Sequence, residues 1–117
     1  MLCIAAGGCY NDTQQELYGV TTQIVPCTDT AGVTYSVTIS GIINANCNSC
    51  HGTPAAIGGN IVLSTYQDVI TQVNNGNLMG DINHNAGHNA MPLTGAKLDA
   101  CSIAKIQHWI NIGKPNN

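Results

Sequence analysis

Residues 46–52 read NCNSCHG, and this stretch decides how the rest of the chain is interpreted. Cys47 and Cys50 are separated by two residues, and His51 follows at once. Such a stretch occurs in three kinds of site: a redox dithiol, a zinc site and a c-type haem attachment. In the haem site each thiol adds to one vinyl group, and the histidine becomes an axial ligand of the iron. The spacing and the adjacent histidine favour haem.

The two alternatives have weaker support in the surrounding sequence. A thioredoxin-like dithiol follows a strand within a βαβ pattern, whereas a helical pattern precedes Cys47. Zinc would take both cysteines and two of His51, His84 and His88, but no second paired-ligand motif completes a familiar site. One covalently attached haem is therefore the predicted cofactor, with zinc and thiol redox chemistry as alternatives.

The composition is typical of one small domain whose core needs additional stabilisation. The 117 residues are 44% apolar and only 8% charged, with no Phe and a single Trp. A core with so few aromatic rings is usually supported by a disulfide, a metal or a large cofactor. The formal net charge is −3, and the basic side chains are Lys97, Lys105 and Lys114. Because a basic surface is missing, nucleic acid is excluded as a partner.

Hydrophobic spacing predicts helices joined by long loops, with no alternating strand pattern. The first predicted helix has Ser36 as its N-cap and continues to the two cysteines. Gly41 lowers the stability of this helix. The last helix begins after Asp99 and ends before Gly113. Two segments are predicted between them: a helix capped by Ser64 or Thr65 and ended by Asn75–Gly76, and one short helical turn at residues 78–82. In the loop between the cysteines and that helix, Gly58–Gly59 lets the main chain approach a bulky group.

An iron held by His51 has a sixth coordination position, and its candidate ligands lie towards the C-terminus. Met91 stands before a proline in a turn-rich stretch, and the proline biases it towards an extended backbone. Its thioether is a soft ligand that raises the reduction potential. Met79 lies in a short apolar segment and is interpreted as core filler. Met91 is thus the predicted ligand, and His84 or His88 is the bis-histidine alternative.

With these features in this order, the chain resembles class I c-type cytochromes. The resemblance covers residues 35–117: a helix ending in CNSCH, a loop with MP and a C-terminal helix with an aromatic residue. More narrowly, CYND…ELY, VTYSVTISGIINANCNSCHG, AMP and LDACSIAKIQHWINIGKPNN resemble single-haem cytochrome lipoproteins of Gram-negative bacteria. The resemblance implies thioether linkages at Cys47 and Cys50, with His51 and Met91 as iron ligands.

The implied fold is all-α, the class I cytochrome c fold. In it the N- and C-terminal helices cross, and short helices and long loops wrap around one covalently bound haem. Ile39 stands where many members have a small residue at this crossing, so we expect a looser contact or a shift towards Gly41. The haem would supply bulk to a core without Phe, and Tyr66 and Trp109 are candidate hydrogen-bond donors to its propionates.

The N-terminal region contains a candidate lipidation site and a predicted tether. In AAGGC, small residues lead to Cys9 and resemble the lipobox of a bacterial lipoprotein signal. Residues 1–8 would then be the remnant of the signal, and Cys9 would carry the lipid anchor. Residues 9–34 show no sustained period and are the predicted tether, and residues 35–117 form the predicted cytochrome c domain.

Two further cysteines, Cys27 and Cys101, are predicted to form a disulfide. The bond would close a loop of about 75 residues and stabilise the domain by about 4–5 kcal/mol in the chain-entropy model. Haem attachment requires export to an oxidising compartment, where such a bond persists. The alternative is two buried free thiols.

The predicted function is electron transfer rather than enzymatic catalysis. Asp68, Asp81 and Asp99 are interpreted as caps or turn residues, and no catalytic acid–base pair is present. We expect an exported monohaem cytochrome, on the periplasmic side or in the cell envelope of a Gram-negative bacterium. It would be anchored through Cys9 and pass single electrons between membrane-associated redox proteins. The alternatives are a haem-based ligand-binding or peroxidase-like protein with a labile sixth ligand, and a haem subunit of a larger respiratory complex.

Overall fold

The structure, a computed structural model, describes Cys27 and residues 29–117, and this part of the chain is helical without a strand. The predicted all-α class is confirmed. A π-helical turn, Tyr35–Ile39, continues directly into the first of five α-helices: α1 (Ser40–Asn46), α2 (Asn48–His51), α3 (Tyr66–Asn74), α4 (Asn77–Ile82) and α5 (Ala100–Asn111). Among the described residues no helix has the length and apolar character needed to span a bilayer. The predicted signal remnant at 1–8, the lipidation site Cys9 and most of the 9–34 tether lie outside the described residues.

The first helical segment is capped by Thr34 rather than by the predicted Ser36. The Thr34 hydroxyl accepts the Val37 N–H at 3.4 Å. The Ile39 N–H donates to the Thr34 carbonyl oxygen, five residues back, at 3.1 Å, which makes this turn wider than an α-helix. The helix is then interrupted at Cys47, whose φ of −119° departs from helical geometry. The predicted single helix is thus three consecutive helical pieces.

Helices α3 and α5 begin at residues predicted to cap them. Thr65 and Asp68 form a reciprocal capping box: the Asp68 N–H donates to the Thr65 hydroxyl at 3.2 Å, and the Thr65 N–H donates to the Asp68 carboxylate at 2.9 Å. The Asp99 carboxylate accepts the Ser102 N–H at 2.8 Å and the Ser102 hydroxyl at 2.6 Å. Gly76, at φ 82°, follows the end of α3 as predicted. These boundaries are set by contacts within four residues.

The π-helical turn packs against α5 at the centre of the core. Ile39, Ile43, Ile106 and Trp109 are at most 2% exposed. Gly41 is exposed, and a Cβ there would have no neighbouring atom within 4 Å. The expected shift of the crossing towards Gly41 is therefore wrong. Two positions along a helix correspond to a rotation of about 200°, so Gly41 faces away when Ile39 faces the core.

Three aromatic rings and the C-terminal segment close one side of the core. Tyr35 packs against Tyr66 and Trp109, with ring centroids 5.0 and 5.7 Å away. The Tyr66 hydroxyl donates to the Lys114 carbonyl oxygen at 2.7 Å, and Trp109 Nε1 donates to that of Pro115 at 3.0 Å. Both donors, candidates for haem propionates in the sequence, are bound here to the C-terminal segment, and the structure gives that role no support.

Cys27 and Cys101 are joined as predicted. Their sulfur atoms are at bonding distance, and their Cα atoms are 4.8 Å apart. The bond ties the segment that precedes the helical domain to the first turn of α5. Cys47 and Cys50, by contrast, have free thiols.

We expect Asp99→Ala to lower the free energy of unfolding by about 1 kcal/mol at neutral pH, because the Ser102 N–H loses its acceptor. The hydrogen bonds from Ser102 lower the pKa of Asp99. The charged cap therefore stabilises fully above the ordinary pKa of 3.8, and this stabilisation is lost as pH falls through the lowered folded-state pKa. Asp99→Asn should keep most of the stability without this acid dependence. Urea unfolding at neutral and acidic pH measures both effects. An alanine variant as stable as the wild type at neutral pH would contradict the assignment.

We expect Cys27→Ser/Cys101→Ser to lower the free energy of unfolding by about 4–5 kcal/mol in the chain-entropy model, for a sequence separation of 74 residues. Guanidinium unfolding measures the loss. Each single serine variant should lose as much as the double variant, because either substitution removes the bond. If instead the stability losses of the two single variants summed to the loss of the double variant, packing rather than the cross-link would stabilise the domain.

Candidate functional site

One cavity of about 680 Å³ brings the predicted cofactor-binding residues together. Its walls come from the end of α1, from α2 and α4, and from loop residues at 57–63 and 89–99. Cys47, Cys50, His51 and Met91 all line it, although Met91 lies 40 positions after His51. A more open groove of about 550 Å³ between α1 and α5 contains none of the four. The larger volume lies within the range of about 300–1,000 Å³ that is usual for ligand and cofactor pockets.

The walls of this cavity are mainly apolar. The buried side chains that line it are Leu63, Leu78, Ile82 and Leu98. Ile57 and Leu93 also line it but are 79% and 72% exposed, so they mark its opening. The charged lining residues are Asp81, Lys97 and Asp99. A largely apolar enclosure is the usual form of a site for a large organic cofactor.

His51 is held by both its ring and its main chain. Its Nδ1 lies 2.8 Å from the Ile61 carbonyl oxygen, which can only accept, so we assign the ring proton to Nδ1. This tautomer leaves Nε2 unprotonated and able to bind a metal. The Leu63 N–H donates to the His51 carbonyl oxygen at 2.7 Å. The segment at 61–63 therefore fixes the orientation of the ring.

The expected close approach of the main chain occurs at Gly58. A Cβ at this position would lie 2.5 Å from His51 Nδ1 and 2.6 Å from the Cys50 carbonyl oxygen. These separations are shorter than contacts that side-chain carbons make, so only glycine fits without movement of the ring. Gly58 thus lets the loop close over His51.

The two free cysteines are half-buried in the cavity wall. Burial raises the pKa of the Cys47 thiol to about 11, so this thiol is protonated at neutral pH. A dithiol redox centre instead lowers the pKa of its attacking cysteine. The environment of Cys47 therefore argues against the thiol redox alternative.

Met91 lines the cavity while its main chain is bound to the last turn of α4 and to a residue just after it. Its N–H donates to the Asp81 carbonyl oxygen at 3.0 Å, and its own carbonyl oxygen accepts from His84 Nε2 at 3.0 Å. His88 Nδ1 lies 3.2 Å from the Asp81 carboxylate. Asp81 itself lies in the last turn of α4, so its interpretation from the sequence as a cap or turn residue is wrong. Neither histidine lines the cavity, and their positions give the bis-histidine alternative no support. Met79 packs against the core, as predicted.

The zinc alternative requires at least one of His84 and His88 beside the two cysteines. Both imidazoles are instead turned to the Met91 carbonyl and the Asp81 carboxylate. Within Cys27 and residues 29–117, no three side chains of His, Cys, Asp or Glu are grouped to hold a metal ion. The geometry of these side chains therefore gives the zinc alternative no support.

Sequence reasoning missed the groups that orient the two candidate ligands. The contact of His51 with Ile61 and that of His84 with Met91 join residues ten and seven positions apart within irregular loops. Periodicity gives no signal there. A histidine shortly before the MP dipeptide is a weak signal that could have directed attention to His84.

Comparisons of the chain with protein-family models, with curated proteins and with solved structures find no match.

We expect Gly58→Ala to displace the His51 ring, since the added Cβ would overlap Nδ1 and the Cys50 carbonyl oxygen. Overpacking of this kind should lower the free energy of unfolding by about 1–3 kcal/mol. In NMR spectra, the His51 ring N–H should exchange faster than in the wild type because its bond to Ile61 is broken. The matched control is Gly41→Ala, an exposed helical site with open space, which should raise stability by about 0.5–1 kcal/mol. An unchanged His51 ring proton in Gly58→Ala would contradict this role.

Proposed function

We propose that this protein is a single-haem c-type cytochrome with the class I fold, and that it carries single electrons between redox partners. The observation that carries the proposal is the meeting of CNSCH and Met91 on the walls of one largely apolar cavity. The contact of the π-helical turn with α5 is compatible with the helix crossing that the class I resemblance implies.

Each residue of the site has a distinct task in this proposal. The free thiols of Cys47 and Cys50 would form the thioether bonds that keep the cofactor attached. His51 would bind through Nε2, and the hydrogen bond from its Nδ1 to Ile61 makes the imidazole a more basic ligand. Met91 would bind from the loop at 89–99 through its thioether sulfur. A bound haem would supply a one-electron iron couple.

The cavity walls would set the reduction potential. Buried leucine and isoleucine side chains keep water out, and a methionine ligand favours the reduced iron, so both raise the potential. With Asp81, Lys97 and Asp99 as the charged lining, electrostatic steering of partners would be modest. Partner choice would then depend on contact at the apolar opening near Ile57 and Leu93 or on tethering.

The proposed location is the periplasmic side or the envelope of a Gram-negative bacterium. The disulfide between Cys27 and Cys101 supports an oxidising compartment, which covalent haem attachment also requires. Lipidation at Cys9 would supply the membrane anchor. In this setting the protein would exchange electrons with membrane-associated redox proteins and act as a carrier rather than as an enzyme.

The test is to mature the complete chain in a bacterial periplasm and to record absorption spectra of the oxidised and reduced protein. We expect haem that remains attached after denaturation, together with the weak long-wavelength band of methionine-bound iron. Cys47→Ala/Cys50→Ala should carry no covalent haem. A wild-type protein without attached haem would overturn the proposal.

We further expect Met91→Ala to keep its covalent haem but to lose the methionine–iron band and to have a lower potential. Met79→Leu is the matched control, because Met79 packs in the core and leucine conserves its volume. The control should keep the wild-type band and potential. Unchanged spectra in Met91→Ala would reject Met91 as a ligand. Carbon monoxide binding by the reduced wild type at neutral pH that is as tight as binding by Met91→Ala would instead favour the ligand-binding or peroxidase-like alternative.

A further inference from the structure

Both main-chain polar groups of Met91 are hydrogen-bonded, one to the last turn of α4 and one to a residue just after that helix. The Met91 N–H donates to the Asp81 carbonyl oxygen, and His84 Nε2 donates to the Met91 carbonyl oxygen, each at 3.0 Å. The two anchoring residues are three positions apart. Met91 therefore cannot leave its place in the cavity wall by a main-chain rotation without breaking one of these bonds.

Asp81 makes further contacts with the residues that lead to Met91. Its carboxylate accepts the Asn89 N–H at 3.1 Å and lies 3.2 Å from His88 Nδ1. The His88 ring lies against Gly80, so closely that a Cβ at this glycine would overlap it. These contacts hold the approach to Met91 against α4. The His84 contact differs from them because it acts on Met91 itself.

His84 occupies a position that glycine adopts with the least strain. Its φ of 56° lies in the left-handed region, which residues other than glycine adopt uncommonly. Its side chain is half-buried and does not line the cavity. Glycine would form this turn with less strain, so the value of the imidazole lies in the contact it makes. That contact is the hydrogen bond to the Met91 carbonyl oxygen.

We infer that His84 is a positioning residue for Met91, whose hydrogen bond limits the release of the methionine sulfur from the iron. This inference rests on the proposed function. The neutral Nε2–H tautomer and the imidazolium both donate through Nε2, so the contact is available in either charge state. An external ligand binds where the sulfur has left, so its apparent affinity rises with the population of the released state. His84 therefore favours electron transfer at this site over the binding of an external ligand.

The experiment uses the complete, haem-bearing protein and carbon monoxide as the probe of the reduced state. His84→Gly removes the donor and relieves the left-handed main chain, whereas His84→Gln keeps an N–H donor at a similar reach. We expect carbon monoxide to bind His84→Gly about tenfold more tightly than the wild type, the equivalent of one hydrogen bond. The methionine–iron band should also disappear at a lower temperature. His84→Gln should restore the affinity to within about threefold of the wild type.

Two further variants complete the design. His108→Gln, on α5 and outside the cavity lining, is the matched control and should behave as the wild type. His84→Ala removes the same donor but keeps a Cβ, and it replaces His84→Gly if the glycine loosens the whole turn.

The outcomes separate this inference from the proposed function. Wild-type carbon monoxide affinity in His84→Gly and His84→Ala, in proteins that show the methionine–iron band, would overturn the role of His84 and leave the proposed function intact. An equal increase in carbon monoxide affinity in His84→Gln and His84→Gly would also overturn it, because the N–H donor would then have no effect. A wild-type protein without covalent haem would overturn the proposed function and this inference together.

Discussion

The packing of the π-helical turn against α5 is the contact on which the rest of the structure depends. Ile39, Ile106 and Trp109 are fully buried there. Because α1 continues directly from the turn and α2 follows at Cys47, the place of this contact sets the place of CNSCH. The same contact holds Asp99 and the start of α5 near the far wall of the cavity. The π-helical turn and α5, which are distant in sequence, thus position the loops that connect to them.

The two candidate ligands, His51 at the end of α2 and Met91 in a loop, are held by the same physical means. Polar main-chain groups in a loop need partners, and here those partners also fix the ligands. For His51 they are the Ile61 carbonyl and the Leu63 N–H, and for Met91 they are the Asp81 carbonyl and the His84 imidazole. Loops without regular structure can therefore present side chains precisely, because each is hydrogen-bonded to a helix end or to its own neighbour.

The size of the core explains why the chain needs further support. With no Phe and one Trp, the buried residues form a modest apolar cluster beside a cavity of about 680 Å³. The disulfide between Cys27 and Cys101 and the caps at Thr65 and Asp99 stabilise the helices around this space. The proposed haem would add apolar contacts on the inner face of the loops, which in a chain of this length have little other core to pack against.

The sequence by itself determined the features that depend on near neighbours. The caps at Thr65 and Asp99 and the stop at Gly76 involve residues within four positions, so composition and spacing predict them. The CNSCH motif is equally local. The tertiary structure alone decided that Ile39 is buried in the core against α5, that Trp109 donates to the C-terminal segment, and that the His84 imidazole lies against the Met91 carbonyl oxygen. Each of those outcomes depends on which distant or irregular segment packs beside the residue. Local propensity does not determine that packing.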